Sequence, residues 1–131
     1  MPTDPGKIEV LIVEDDVFLR KILATKFEKE GFAVRTASNG EEALTLLHES
    51  APAMMLLDLI IPKVSGFDVL ADVRATEGLK DLPVVVLSNL SQEEDIKRVT
   101  ELGALGFMSK ADNSINEIVA HVKEEFAKIA K

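Results

Sequence analysis

An α/β fold wound around a parallel sheet is predicted by three features of the chain. Short β-rich apolar runs alternate with amphipathic helical patterns five times over. The runs are apolar at successive positions, and ionisable or hydroxyl residues stand directly after most of them. Strands apolar on both faces belong in a sheet covered by helices on both sides, and strand–helix alternation makes that sheet parallel, with right-handed crossovers.

In chain order, residues 1–6 are rich in Pro, Gly and Thr and read as a short disordered tail. Ile8–Val13 is the first strand, followed by a helix over Val17–Glu30 that stops at Gly31. Phe32–Ala37 is the second strand. Asn39 with Glu42 forms a capping box that opens a helix to about Glu49. Met54–Leu57 is the third strand, and a helix over Gly66–Glu77 ends at Gly78. Pro83–Leu87 is the fourth strand; Ser91 and Glu94 cap the next helix, which stops near Gly103. Leu105–Ser109 is the fifth strand, and Ser114 with Glu117 caps the last helix. That helix carries Ile115, Ile118, Val119, Val122, Phe126 and Ile129 on one face, a stripe that reads as core packing.

Composition narrows the chemistry. The 131 residues fit one domain, and 47% apolar with 29% charged residues is ordinary for a globular chain. With no cysteine and two histidines, thiol catalysis and thiolate or histidine-rich metal sites are excluded or disfavoured. Carboxylates remain as candidate ligands, and they suit hard cations such as magnesium. A net charge of −8 without a Lys/Arg cluster disfavours direct nucleic-acid binding. No apolar run approaches a membrane span and residues 1–6 lack signal-peptide character, so the expectation is a cytoplasmic domain away from the membrane.

Folds of this class bind ligands at the carboxyl ends of their strands. Strand one ends in Glu14-Asp15-Asp16, strand three runs into Asp58, strand four ends in Ser88-Asn89 and strand five in Ser109-Lys110; the end of strand two, Ala37-Ser38, reads as inert. Alone, the acidic run also reads as a helix cap. Asp58 interrupts an otherwise apolar stretch from Met54 to Pro62, where a carboxylate is costly unless paired or metal-bound. Two carboxylates about 4 Å apart repel by roughly 4 kcal/mol at an effective dielectric of about 20, a penalty that a cation between them removes. Magnesium takes a few carboxylate oxygens and leaves positions for phosphoryl oxygens. With Lys110 as fixed charge and Ser88 as donor, these are the parts of a phosphoryl-transfer site.

In that order and at those strand ends, the residues resemble the receiver domain of bacterial two-component response regulators, over residues 7–131 and in the single-domain, chemotaxis-regulator-like form. Asp58-Leu-Ile-Ile-Pro-Lys-Val-Ser-Gly66 is similar to the family's phosphoacceptor loop, with Pro62 and Gly66 at its spacing. The resemblance implies a flavodoxin-like sheet of order 2-1-3-4-5, a strand order for which a member of this family is a standard example. It implies that Asp58 accepts a phosphoryl group from a sensor histidine kinase or histidine phosphotransfer protein. Magnesium would be held by Asp15, Asp58 and the Ile60 backbone carbonyl, with Glu14 acting largely through water. Lys110 would pair with the phosphoryl group. Ser88 and Phe107 would act as the switch pair that reshapes the surface around the fourth helix, fifth strand and fifth helix. Charged hydrogen bonds of about 1.5–3 kcal/mol suffice to shift such an equilibrium roughly ten- to a hundredfold.

The chain departs from the family at Ala111, where proline after a cis bond is usual; a trans bond is expected here, since cis before a non-proline residue costs about 3–4 kcal/mol. Ile60 and Leu90, two residues past Asp58 and Ser88, are apolar where family side chains influence water access, which implies slow self-dephosphorylation. His48 and His121 lie in helical segments and read as surface residues. The expected partners are a phosphodonor and a downstream target or a removed output domain, with the chain a monomer or weak dimer. Three alternatives stand beside this reading. A degenerate receiver would serve only as an interaction module, and Ala111 is the residue that favours it. A magnesium-dependent aspartyl phosphohydrolase would need a second Asp at position 60. Flavin binding would need a Ser/Thr/Gly-rich loop after strand one.

Overall fold

The computed structural model describes residues 7–89 and 92–129. The elements alternate as expected: β1 Glu9–Val13, α1 Val17–Lys29, β2 Ala33–Ala37, α2 Gly40–Glu49, β3 Met54–Leu57, α3 Gly66–Ala75, β4 Val84–Ser88, α4 Glu93–Glu101, β5 Gly106–Ser109 and α5 Ile115–Ile129. All neighbouring strands pair in parallel, in the order β2-β1-β3-β4-β5. The flavodoxin-like order expected from the sequence is the order observed.

The apolar runs explain why this sheet is covered twice. Successive side chains of a strand point to opposite faces. Leu11, Val13, Met55, Leu57, Val84 and Val86 therefore face one way, onto Leu47, Leu70 and Val99 of α2, α3 and α4. Val10, Ile12, Met54, Leu56, Val85 and Leu87 face the other way, onto Leu23, Phe27, Ile118 and Val122 of α1 and α5. The three central strands β1, β3 and β4 are buried almost throughout, whereas edge strands β2 and β5 are half-buried. The strand ends thus project from a rigid slab.

Several boundaries differ from the sequence reading. Ile8, Phe32, Pro83 and Leu105 precede their strands, so β1, β2, β4 and β5 begin one residue later. Helix α3 ends at Ala75 and not Glu77. Thr76 takes extended backbone, and its hydroxyl donates to the Asp72 carbonyl at 2.7 Å, offering the chain a local alternative to another helical turn. Both Asn39 and Ser114 cap as expected. Asn39 accepts from the Glu42 amide at 2.8 Å, although Glu42 reaches back to the Ser38 amide rather than to that of Asn39. Ser114 and Glu117 close a reciprocal box. The cap assigned to Ser91 falls outside the described residues, as do residues 1–6. Gln92 is the N-cap of α4 and makes no side-chain capping bond, while Glu93, Glu94 and Asp95 place negative charge in the first turn.

The stripe on α5 is core at Ile118, Val119 and Val122 and half-buried at Ile115 and Phe126. Ile129 is 44% exposed, at the opposite end of the sheet from the loops that follow the strands. His48 lies at the surface, paired with Asp72 at 3.0 Å. His121 does not: it is half-buried, and its enclosed Nε2 packs on Gly106 of β5, where the absent side chain leaves a notch for the ring. Among the described residues no helix is long and apolar enough to cross a membrane.

One residue of the β3–α3 loop is held against its own preference. Lys63 sits at φ 71°, the only described non-glycine residue with positive φ, and a side chain in that region costs about 1–2 kcal/mol. Lys63→Gly is expected to raise stability by about 0.5–1 kcal/mol in urea unfolding, the relief of strain being partly offset by glycine's extra freedom in the unfolded chain.

Candidate functional site

Three backbone bonds carry the sheet's order past the last strand residues. The Glu14 amide donates to the Ala37 carbonyl at 3.0 Å, the Asp58 amide to the Val13 carbonyl at 3.1 Å, and the Lys110 amide to the Ser88 carbonyl at 3.1 Å. The side chains that follow β1, β3 and β5 are therefore set by the ladder and not by loose loops. They meet in an open cleft of about 400 Å³ lined by Glu14, Asp15, Asp16, Asp58, Ile60, Asn89 and Lys110.

Two carboxylates in it are buried, Glu14 at 1% and Asp58 at 4% exposure. Lys110 Nζ bridges them, 2.6 Å from Glu14 Oε1 and 2.8 Å from Asp58 Oδ2. The other oxygens also have donors: Glu14 Oε2 accepts from the Asp16 amide at 3.0 Å and Asp58 Oδ1 from the Ile60 amide at 3.2 Å. Burial lowers the affinity of Lys110 for its proton, but hydrogen bonds and charge from Asp58 and Glu14 outweigh it and hold the pKa above the ordinary value. Glu14 is shifted upward. Desolvation is the largest cause and outweighs the lowering by Lys110 and the Asp16 amide, with the charge of Asp58 adding to the rise.

The acidic run divides its labour. Asp16 caps α1, its Oδ1 accepting from the Leu19 amide at 3.1 Å, so the capping reading holds for that residue. Glu14 and Asp15 turn instead toward Asp58. The three carboxylates each offer an oxygen, all within 4.8 Å of one another. One ammonium, that of Lys110, touches the oxygens of this cluster, so carboxylates outnumber the cations in direct contact with them. A divalent hard cation fits this donor set, which is all oxygen, and neutralises that excess. Glu14 Oε1 adds to the fit, because it is an enclosed carboxylate oxygen with acceptor capacity left beyond its contact with Lys110.

Glycine at two positions lets the β3–α3 loop lie close. A Cβ on Gly66 would stand 2.2 Å from the Asp58 carbonyl oxygen, and one on Gly40 would stand 1.9 Å from that of Val64. The Gly66 amide also donates to the Leu59 carbonyl at 3.0 Å, and Gly40 to that of Pro62 at 3.2 Å. The peptide between Lys110 and Ala111 is trans, as expected.

Of the residues singled out in the sequence, Glu14, Asp15, Asp58, Ile60 and Lys110 converge in the cleft. Ser88 and Phe107 lie beside it: Ser88 is fully buried at the end of β4, and Phe107 is half-buried against the α2/α3/α4 side of the core. Leu90 is outside the described residues. Asn89 lines the cleft without having been assigned a role, though its place directly after a strand end marked it for attention.

Comparison with known proteins gives the family. The profile of the response regulator receiver domain matches residues 10–123. The chain belongs to that family. A transcriptional regulatory protein CpxR homolog of Haemophilus influenzae is 40% identical over 117 residues, 88% of this chain and 48% of the relative. A probable transcriptional regulator ycf27 of Guillardia theta is 39% identical over 79% of this chain and 40% of its own length. A solved structure of a putative response regulator from Chloroflexus aurantiacus shares 28% identity, covers 92% of this chain and 98% of its own, and superposes with a TM-score of 0.83. The chain spans about half or less of the length of these two curated relatives. Receiver domains serve phosphorylation-dependent two-component signalling, work with histidine kinases and output domains, and are signalling modules rather than substrate-turning enzymes. They generally bind Mg2+ at an acidic pocket, and this receiver carries the acidic cluster Glu14, Asp15 and Asp58.

The upward shift of Glu14 has a consequence for stability. A carboxyl whose folded pKa lies above its ordinary value of 4.5 opposes folding once ionised, fully at pH above the raised pKa and not at all below the ordinary one. In metal-free protein, Glu14→Gln is therefore expected to raise the urea midpoint at pH 7, with the gain shrinking as pH falls through that window.

Proposed function

We propose that this receiver is a magnesium-dependent phosphoryl switch whose acceptor is Asp58. The observation that carries the reading is the meeting of a buried Asp58 with Lys110, Glu14 and Asp15 at three strand ends. An Asp58 oxygen forms the new O–P bond while the donor's P–N bond, from phosphohistidine, breaks and the leaving imidazole takes up a proton. Lys110, already on Asp58 Oδ2, supplies a fixed positive charge for the incoming phosphoryl oxygens. The Ile60 amide on Oδ1 holds the carboxylate's orientation. Asp15, Asp58 and the Ile60 carbonyl would hold the magnesium, with Glu14 acting largely through bound water, and the metal supplies charge neutralisation at the transferring group.

Ser88 then donates to the phosphoryl group from the end of β4, and Phe107 moves into the space it leaves, reshaping the face of α4, β5 and α5. Support comes from register: Val86 pairs with Phe107 and Ser88 with Ser109, so the two switch residues sit on adjacent strands with a single pair, Leu87 and Met108, between them. The donor protein has to reach Asp58 across the rim of the cleft. There α1 presents Phe18, 79% exposed, with exposed Val17 and Ile22. This apolar patch beside Asp15 and Asp16 suits the surface of a phosphohistidine-bearing protein.

Incubation with magnesium and a small acyl phosphate, followed by intact-mass measurement, is expected to give a single phosphoryl adduct. Asp58→Asn or a chelator should abolish it, and Lys110→Met should slow it about 100-fold, the scale of losing one preorganised charge. No adduct on a folded protein would favour the degenerate interaction module instead. A second expectation concerns lifetime. Ile60 stands 60% exposed at the cleft and offers no polar group to orient a water. Ile60→Asn combined with Leu90→Glu is expected to shorten the life of the adduct, followed by the decay of the same mass peak; an unchanged decay would refute slow self-dephosphorylation as a consequence of apolar residues at positions 60 and 90.

A further inference from the structure

The turn between β1 and α1 has a demanding task. Glu14 still belongs to the ladder through its bond to Ala37, and α1 begins at Val17. The chain must therefore turn within Glu14, Asp15 and Asp16, three consecutive acids with no glycine or proline to preset the backbone. Like charges in series push such a turn apart, and their carbonyls need donors of their own.

One side chain meets both needs. Arg20, one helical turn into α1, begins a regular helix by donating its amide to the Asp16 carbonyl at 2.9 Å. Its guanidinium folds back over the turn, with Nη1 2.9 Å from the Glu14 carbonyl oxygen and 3.5 Å from that of Asp15. Both contacts go to carbonyls and not to a carboxylate oxygen. The planar, permanently charged guanidinium suits a contact that fixes direction as well as charge.

We propose that Arg20 is a positioning residue for the acidic pair: by gripping the backbone of Glu14 and Asp15 it holds their carboxylates in the arrangement that binds the divalent cation. The inference rests on the magnesium reading of the site. It makes the opposite prediction to simple electrostatics, in which a fixed cation beside a cation site repels it and its removal tightens binding. Partners of metal ligands typically account for about 10–100-fold in metal affinity.

The test uses Mn2+ as the probe, with free ion counted by electron paramagnetic resonance on the full chain. Each variant's fold is checked by circular dichroism and its metal-free urea midpoint. Arg20→Met is expected to bind Mn2+ about tenfold more weakly, and Arg20→Lys, which keeps the charge and one donor, to recover part of the loss. Phosphorylation by an acyl phosphate should fall at limiting Mg2+ and return toward the wild-type rate at saturating Mg2+. Unchanged or tighter Mn2+ binding by Arg20→Met overturns the proposal. If Arg20→Met does not fold, Arg20→Lys carries the test alone, and wild-type affinity in that variant overturns the proposal. Asp15→Asn separates the two failures. Full affinity in Asp15→Asn sinks the magnesium reading and the role of Arg20 with it, whereas loss there without loss in Arg20→Met sinks the role of Arg20 alone.

Discussion

The structure of this receiver is organised around one ammonium group shared by two buried carboxylates. Lys110 comes from β5, Glu14 from β1 and Asp58 from β3, so the contact exists only if β4 lies between the second pair and β1 lies beside β3. A buried carboxylate without a partner is strongly destabilising, and two together are worse. The strand order, the depth of the three loops and the length of the lysine side chain are all required to satisfy that single contact. Even then the balance is incomplete. Three carboxylates gather around one ammonium, and burial, with the charge of Asp58 adding to it, holds the Glu14 carboxyl above its ordinary pKa. An excess of carboxylate oxygens of this kind is what a divalent cation relieves.

Holding such a site requires a frame that does not relax. The frame is the slab of β1, β3 and β4, whose apolar residues leave no face to solvent, and the bonds of Glu14, Asp58 and Lys110 to the ends of neighbouring strands. The β3–α3 loop is held close by two backbone approaches, Val64 on Gly40 of α2 and Gly66 on Asp58 and Leu59, with Lys63 bent into a conformation it does not favour. Local strain there is tolerated because the surroundings over-determine the geometry. By contrast, the half-buried β5 and the short α4, with only Val99 buried, form the less constrained side of the molecule. Ser88 and Phe107 lie at the seam between the two.

What the sequence made legible follows from which signals are local. Alternation of apolar runs with capping boxes at Asn39–Glu42 and Ser114–Glu117 is written within a few residues, and both the elements and those caps were readable. The end of α3 was not, because Thr76 competes through a hydroxyl that is equally at home inside a helix. The residues after each strand were readable as candidates, since the fold class alone directs attention to them. Their mutual contact was not: Lys110 and Asp58 are 52 positions apart, and only the strand order brings them within 2.8 Å. Composition and spacing alone did not separate the jobs of three adjacent acids, one of which caps a helix while two face the cleft; only the family resemblance set Glu14 and Asp15 apart from Asp16. His121 was misread as a surface residue because the notch it fills is made by the missing side chain of Gly106, on a different element.

The departure at Ala111 shows how the lysine can be placed without the proline usual in this family. The β5–α5 loop is closed by side-chain and backbone bonds of its own. Asn113 Nδ2 donates to the Ser109 carbonyl at 2.8 Å, and the Lys110 amide remains on the Ser88 carbonyl. The Ser114–Glu117 box then starts α5 immediately. Lys110 is thereby fixed by its own amide bond to β4 and by the Asn113–Ser109 bond that closes the loop across it, so its reach to Asp58 depends on strand pairing and an asparagine rather than on a preset peptide geometry. That is the physical ground on which Lys110 still meets the acidic cluster in a chain that lacks the customary proline.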